Sequence, residues 1–256
     1  MLKLEFDTDD GIGTRANLGM IVLETDETLE AEFARMADID GVARYHSRIP
    51  MVTEIRPDTL AMMLKDLPAS TRLLPSSLDF DVIGYGCTSA STVIGSDKVA
   101  AAIQSVRPNV KVTDPLAALI AAARALGVTN LGFITPYIPD VSQRMRDKLE
   151  EAGFHISAGG SFEESDDRVV ARISEQAIQN AARHVANAAP KATPCDALVI
   201  SCTNLRCLNI IPQLEAELGI PVLSSNTALV WHMLRLAGVS DRRPQICRLF
   251  DVELAD

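Results

Sequence analysis

Two cysteines, each followed by a threonine, are the residues of this chain best suited to chemistry. Cys87-Thr88-Ser89 closes the apolar run VIGYG (82–86), and Cys202-Thr203-Asn204 closes ALVIS (197–201). A thiol at a strand end, followed by residues that can start a helix, meets free backbone N–H groups that favour a thiolate and cradle an anion. A single copy of this pattern is more often a buried small side chain, because cysteine is among the most buried residue types. Two copies at equivalent places suit a small carboxylate attacked or deprotonated from either face.

The elements that must position these thiols repeat as well. Short β-branched runs alternate with amphipathic or alanine-rich stretches, the pattern of βα units and a parallel sheet. The expected strands are 18–23, 42–49, 81–86 and 110–113, then 131–136, 155–162, 197–202 and 221–225. Each series opens on Leu-Gly, and the separation from Leu18 to Cys87 is 69 residues against 71 from Leu131 to Cys202. Each ends in an Ala/Leu-rich helix closed by Gly-Val, DPLAALIAAARALGV and SNTALVWHMLRLAGV. Glycine just beyond the last turn is a usual helix stop. The reading is an α/β protein of two pseudo-symmetric lobes, with the active site in the cleft between them. The stretch 246–254 is expected to be a strand returning to the first lobe. Residues 1–114 with 226–256 then form one lobe and residues 115–225 an inserted second. In open parallel sheets ligands sit beyond the carboxyl ends of the strands, where Cys87 and Cys202 both lie.

Composition narrows the partners. The chain has 256 residues with 24 Lys+Arg against 34 Asp+Glu, a formal charge of -10, and no basic cluster, which argues against nucleic acid and anionic membrane. Its five cysteines contain no CxxC pair, so neither a disulfide framework nor a zinc site is indicated. Cys195, Cys207 and Cys247 are read as packing residues, with Cys207 further into a helix begun by Cys202. No phosphate-binding glycine motif occurs, so no nucleotide cofactor is expected, and the four histidines show no metal or triad spacing. An acidic N-terminus and the lack of a long apolar run point to a soluble cytoplasmic protein. A homo-oligomer, dimer or tetramer, is expected.

The stretches IGYGCTSASTVIG (83–95), ISCTNLR (200–206), TPY (135–137) and SSNTALVWHMLRLAG (224–238) resemble the aspartate/glutamate racemase superfamily, close to maleate cis-trans isomerases and arylmalonate decarboxylases. LGMIVLETDETLEAE (18–32) and RIPMVTEIRPDTL (48–60) are similar to the family's N-terminal half. The resemblance implies flavodoxin-like lobes, catalysis without a cofactor or metal, Cys87 as nucleophile and Cys202 as acid/base. Decarboxylases of this group carry glycine at the first cysteine position, so Cys87 favours isomerisation. Thr88, Ser89, Thr203, Asn204 and the Tyr137 hydroxyl are implied to hold the substrate carboxylate. Tyr137 also reads as a half-buried loop aromatic, and Asn226 equally as a ligand contact or a helix N-cap. Arg15 and Arg206 are possible carboxylate partners but read better as surface residues.

One turn departs from the family. Maleate isomerases resemble Pro-Ser-Ser-Asn-Thr after the first strand, whereas this chain has Glu24-Thr25-Asp26-Glu27-Thr28. Asp26 or Glu27 there repels a second carboxylate, and would instead meet an ammonium, amide or ring N–H, or cap the next helix. Glu27 is the residue placed at the substrate. The turn is similar to a branch of the superfamily tied to ectoine and hydroxyectoine breakdown, whose substrates carry nitrogen. The expected function is a maleate isomerase-like enzyme acting on a small carboxylic acid. The alternatives are a two-cysteine racemase or epimerase of an amino-acid, hydantoin or ectoine-derived substrate, an arylmalonate decarboxylase-like enzyme, and a ligand-binding module without catalysis.

Overall fold

The computed structural model describes residues 1–52 and 55–255; residues 53, 54 and 256 lie outside the described residues, so the 48–60 stretch is seen only in part. Among the described residues eight strands form, most of them where β-branched runs end in turn residues: β1 (Ala16–Leu23), β2 (Val42–Ile49), β3 (Val82–Gly86), β4 (Lys111–Thr113), β5 (Asn130–Thr135), β6 (His155–Ser161), β7 (Ala197–Ile200) and β8 (Val222–Ser224). They make two four-stranded sheets, β2-β1-β3-β4 and β6-β5-β7-β8, with every pairing parallel. The same order occurs twice, so the repeat seen in the residues is a repeat of topology.

That order fixes where a ligand can sit. In each sheet the chain goes first to one side of its opening strand and then crosses to the other, so the crevice opens beyond the carboxyl ends of β1 and β3, and of β5 and β7. The turn 24–28 follows β1, Cys87 follows β3, Tyr137 follows β5 and Cys202 follows β7. The central strands β3 and β7 are buried along their whole length, as helices on both faces require. Close packing at the end of β3 needs Gly86, where a Cβ would lie 2.3 Å from Leu29 Cδ2 of the first helix (Leu29–Met36).

The helices Pro115–Ala125 and Ser225–Leu236 follow the last strand of each sheet and pack on one another. Helix 225–236 also lies on β3 and β4 of the first sheet, while helix 115–125 touches β8 of the second, so each closing helix reaches into the opposite lobe. Gly127 and Gly238 just beyond them take left-handed φ values of 68° and 79°, the stop expected of a Gly-Val pair.

The C-terminal stretch is not a strand. Residues Arg248–Asp251 form a short 3-10 turn, and buried side chains occupy carbonyls that a sheet would need. Trp231 Nε1 and Arg235 Nε both donate to the Val252 carbonyl at 3.0 Å, and Arg235 Nη2 donates to Phe250 O at 3.3 Å. The tail touches both lobes, since Arg243 Nη1 donates to Met36 O at 2.7 Å and Arg248 Nη1 to Gly219 O at 2.8 Å. No described helix is long and apolar enough to cross a membrane.

Candidate active site

Cys87 caps the helix Thr88–Ile94 with its own sulfur: Sγ accepts the Ala90 N–H at 3.4 Å and lies 3.6 Å from Ser89 Oγ. Cys202 differs from the sequence reading. No helix starts at it; the next begins at Ile211, and Cys202 holds a φ of 125°, a conformation costly to any residue with a Cβ. The intervening loop is pinned by Glu32, whose Oε1 accepts the N–H of Cys207 at 3.0 Å and of Leu208 at 2.9 Å. Cys207 is therefore a buried loop residue and not part of a helix. Cys202 Sγ still accepts one amide, the Asn204 N–H at 3.4 Å.

Hydrogen bonds sew the two cysteine turns together. Thr88 Oγ1 donates to Ser225 Oγ at 2.8 Å, and the same oxygen accepts the Cys202 N–H at 3.0 Å. From the other side, Thr203 Oγ1 donates to the Gly86 carbonyl at 3.3 Å. Each threonine beside a cysteine thus reaches toward the opposite turn. The Tyr137 hydroxyl stands among them, coupled electrostatically to both thiols and hydrogen-bonded to that of Cys202. Cys87, Thr88, Ser89, Tyr137, Cys202, Thr203, Asn204 and Asn226 are all buried, with Cys87 2% and Cys202 5% exposed.

Burial reverses one sequence expectation. It pushes the Cys87 thiol up to about 12, more than the Ala90 N–H and Ser89 hydroxyl bring it down, and Asp167 and Asp26 add to the rise. It likewise raises Cys202 well above the ordinary thiol range, with Asp167 adding and the Asn204 N–H and Tyr137 hydroxyl opposing. The turns do not supply ready thiolates; both thiols are buried and protonated at neutral pH.

The acidic turn also resolves differently. Glu27 pairs with Arg172 at 2.5 Å and its side chain is 43% exposed, so its carboxylate is already used at the surface. Asp26 is the inward acid, because a tight turn with Asp26 N–H bonded to Leu23 O at 3.2 Å swings its side chain under the first helix. Its Oδ1 accepts the N–H of Thr28 at 2.8 Å and of Leu29 at 2.7 Å, and the Thr203 hydroxyl lies beside the same buried carboxylate. Asp167 lies beside it, accepting the Thr25 hydroxyl at 2.5 Å. Asp167 was not singled out in the sequence; its only signal there is an acidic run, ESDD (164–167), just after the strand equivalent to β2.

The two asparagines serve as struts. Asn204 accepts the Glu27 N–H at 2.9 Å and donates to Asp167 O at 3.1 Å, bridging the lobes. Asn226 is not the N-cap of helix 225–236, a place taken by Ser224, and its Nδ2 donates to Glu32 Oε2 at 2.8 Å and Thr203 O at 2.9 Å. Arg15 pairs with Asp241 and Arg206 donates to Ile173 O at 3.2 Å, both at the surface and away from these residues. Among the described residues, no group of three or more His, Cys, Asp or Glu could hold a metal ion.

Comparison with known proteins places this geometry among relatives. A family model described as arylmalonate decarboxylase matches residues 69–250. Arylmalonate decarboxylase of Bordetella bronchiseptica is 34% identical over 135 residues, 52% of this chain and 55% of that enzyme. Maleate isomerase of Nocardia farcinica is 28% identical over 228 residues, 85% of this chain and 88% of that one. A solved structure of a cysteine-to-serine variant of the Nocardia farcinica maleate cis-trans isomerase, with a covalently bound succinylcysteine intermediate, superimposes with a TM-score of 0.82 at 25% identity, covering 92% of this chain and 98% of that one.

Proposed function

Because the chain belongs to the arylmalonate decarboxylase family, we propose that it is a cofactor-independent isomerase of a small carboxylic acid, working through Cys87 and Cys202. The observation that carries this reading is the mutual tie of the two cysteine turns through Thr88, Ser225 and Thr203, with the Tyr137 hydroxyl beside both sulfurs. The covalent succinylcysteine of the Nocardia relative supports addition of a thiolate to a double bond.

In this reading Cys87 gives its proton to bulk water as substrate enters, regaining it after product leaves, and its thiolate forms an S–C bond to one alkene carbon. The π pair moves to the neighbouring carbon, where the Cys202 thiol delivers a proton. The former double bond is now single and rotates. Cys202, now a thiolate, takes the proton back, the pair re-forms the alkene, and Cys87 leaves as thiolate. Atoms and electrons balance without a redox partner. Tyr137 and the Asn204 N–H hold the Cys202 sulfur in place, and Thr88, Ser89 and Thr203 offer N–H groups to the carboxylate.

The test is turnover of unsaturated acids, maleate first, followed by NMR. Cys87→Ser and Cys202→Ser are each expected to lower turnover ~10²–10⁴-fold, the range for a lost acid/base or nucleophile. Full activity in either variant would sink the two-cysteine reading. A racemase is the second reading, favoured by the equivalent placing of the two cysteines after β3 and β7. Deuterium entering a stereocentre in heavy water, without alkene isomerisation, selects it.

A further inference from the structure

Residues 1–13 carry a pattern that the rest of the chain leaves unused. In MLKLEFDTDD the apolar Leu2, Leu4 and Phe6 alternate with Lys3, Glu5 and Asp7, the period of a strand with one face to cover. The arm forms neither helix nor strand, and Leu2, Leu4 and Phe6 are 90%, 77% and 82% exposed. The space beside Lys3–Asp7 is bounded by those residues alone, so the arm stands off the body. Large apolar side chains gathered on one exposed segment mark a surface made for a partner.

The arm is rooted beside a groove of complementary character. At its base Arg15 pairs with Asp241, and the Arg15 N–H donates to Gly41 O at 2.8 Å. Two residues beyond Asp241, Arg243 joins the rim of a cavity of about 340 Å³ between the first helix, the loop after Cys202 and the C-terminal tail. Met36, Leu208 and Ile246 are its apolar floor, all buried. On the rim Arg35 Nη1 donates to Asn209 Oδ1 at 2.9 Å, and Arg243 Nη1 to the carbonyls of Arg35 at 3.2 Å and Met36 at 2.7 Å. Both charges thus meet neutral oxygens and no carboxylate among the described residues. The arm supplies what they lack: Glu5, Asp7, Asp9 and Asp10 against Lys3 alone. A larger cavity, of about 460 Å³ beside Phe80, fits less well, because Asp79 lines it and Arg107 already serves the carbonyls of Leu74, Pro75 and Leu78.

We propose that this groove receives the N-terminal arm of a second copy of the chain, in a reciprocal exchange between two copies. Leu4 and Phe6 seat on the floor of Met36, Leu208 and Ile246, and Glu5 and Asp7 meet Arg35 and Arg243. Extended, residues 1–13 reach roughly 45 Å. Because root and groove adjoin, a two-fold axis passing beside Arg15 sets each arm against the other copy's groove. An arm seated there touches the first helix of one lobe and the 208–212 loop of the other, and so clamps the joint that Glu32 pins. Neither thiol belongs to this surface, so its test is separate from turnover.

The experiment is sedimentation velocity of the full chain over a dilution series, joined to cross-linking. The unaltered chain is expected to dimerise, and Phe6→Asp and Arg35→Glu are each expected to raise the dimer Kd at least about tenfold. Phe6→Cys and Pro212→Cys chains, purified apart and then mixed, are expected to be joined by a short bismaleimide, since Pro212 is exposed at the groove and the native cysteines are buried. A monomer at every concentration, an unchanged Kd in either variant, or no cross-linked pair overturns the proposal. Should Arg35→Glu fail to fold, Phe6→Asp, which lies outside the packed body, and the cross-link decide.

Discussion

At the scale of single residues the site turns on burial outweighing local hydrogen bonds. The helix N-terminus at Cys87 supplies one amide and one hydroxyl to the sulfur, yet desolvation holds the thiol near 12. Iodoacetamide at pH 8 is therefore expected to label both Cys87 and Cys202 more slowly than free glutathione in the ligand-free enzyme, followed by peptide mass spectrometry. Labelling of either at or above the glutathione rate would contradict the raised, buried thiols. The same balance explains what residue types alone did not reveal. That the turn after the first strand is acidic was legible; which acid faces inward was not, because it depends on the Leu23–Asp26 turn and on Arg172, far away in sequence, drawing Glu27 outward.

At the scale of elements, one serine links both cysteine turns to a single helix. Ser225 Oγ is shared by the Thr88 hydroxyl and the Cys202 N–H, so it couples the first turn of helix 225–236 to both cysteine turns. Ser225→Ala leaves two buried donors without this partner and is expected to cost about 1–3 kcal/mol. In a chain of this size that lowers Tm by ~2–4 °C per kcal/mol, measurable by calorimetry, with kcat falling further than the loss of stability explains. The strands were legible because most are β-branched runs ended by turn residues, and the repeat made the two halves alike, while the order within each sheet came only with the structure. The tail 246–254 misled for a physical reason: its apolar pattern suits a strand, but the donors for its carbonyls come from Trp231 and Arg235, about twenty residues upstream. The loop after Cys202 misled similarly, since the carboxylate that pins it is Glu32 of the other lobe.

At the scale of the whole molecule, Glu32 joins the lobes and makes stability depend on pH. Burial pushes its carboxyl from 4.5 up to about 7, against the N–H groups of Leu208 and Cys207 and the Asn226 amide, and Asp26 rises from 3.8 to about 6. A carboxyl raised on folding binds more protons folded than unfolded between those two values, so its stabilisation is present at low pH and is lost as pH climbs through the folded value. Glu32 and Asp26 thus lower stability as pH rises between about 5 and 7.5, against buried His232, lowered to about 4, which raises it up to about pH 6.5, so the wild-type Tm advantage over Glu32→Gln is expected to shrink across that window in a pH series of thermal melts. An advantage that grows with pH contradicts the assignment. The doubled strand order has a consequence for orientation. Two identical halves would let a bound molecule lie either way round with equal energy, and the sulfurs would then have no fixed roles. What breaks the tie is the mismatch between the halves: an acid beyond β1 where the partner sheet presents a phenol beyond β5, and a capped helix after Cys87 where a strained loop follows Cys202. The asymmetry of an otherwise duplicated molecule tells the substrate which end is which.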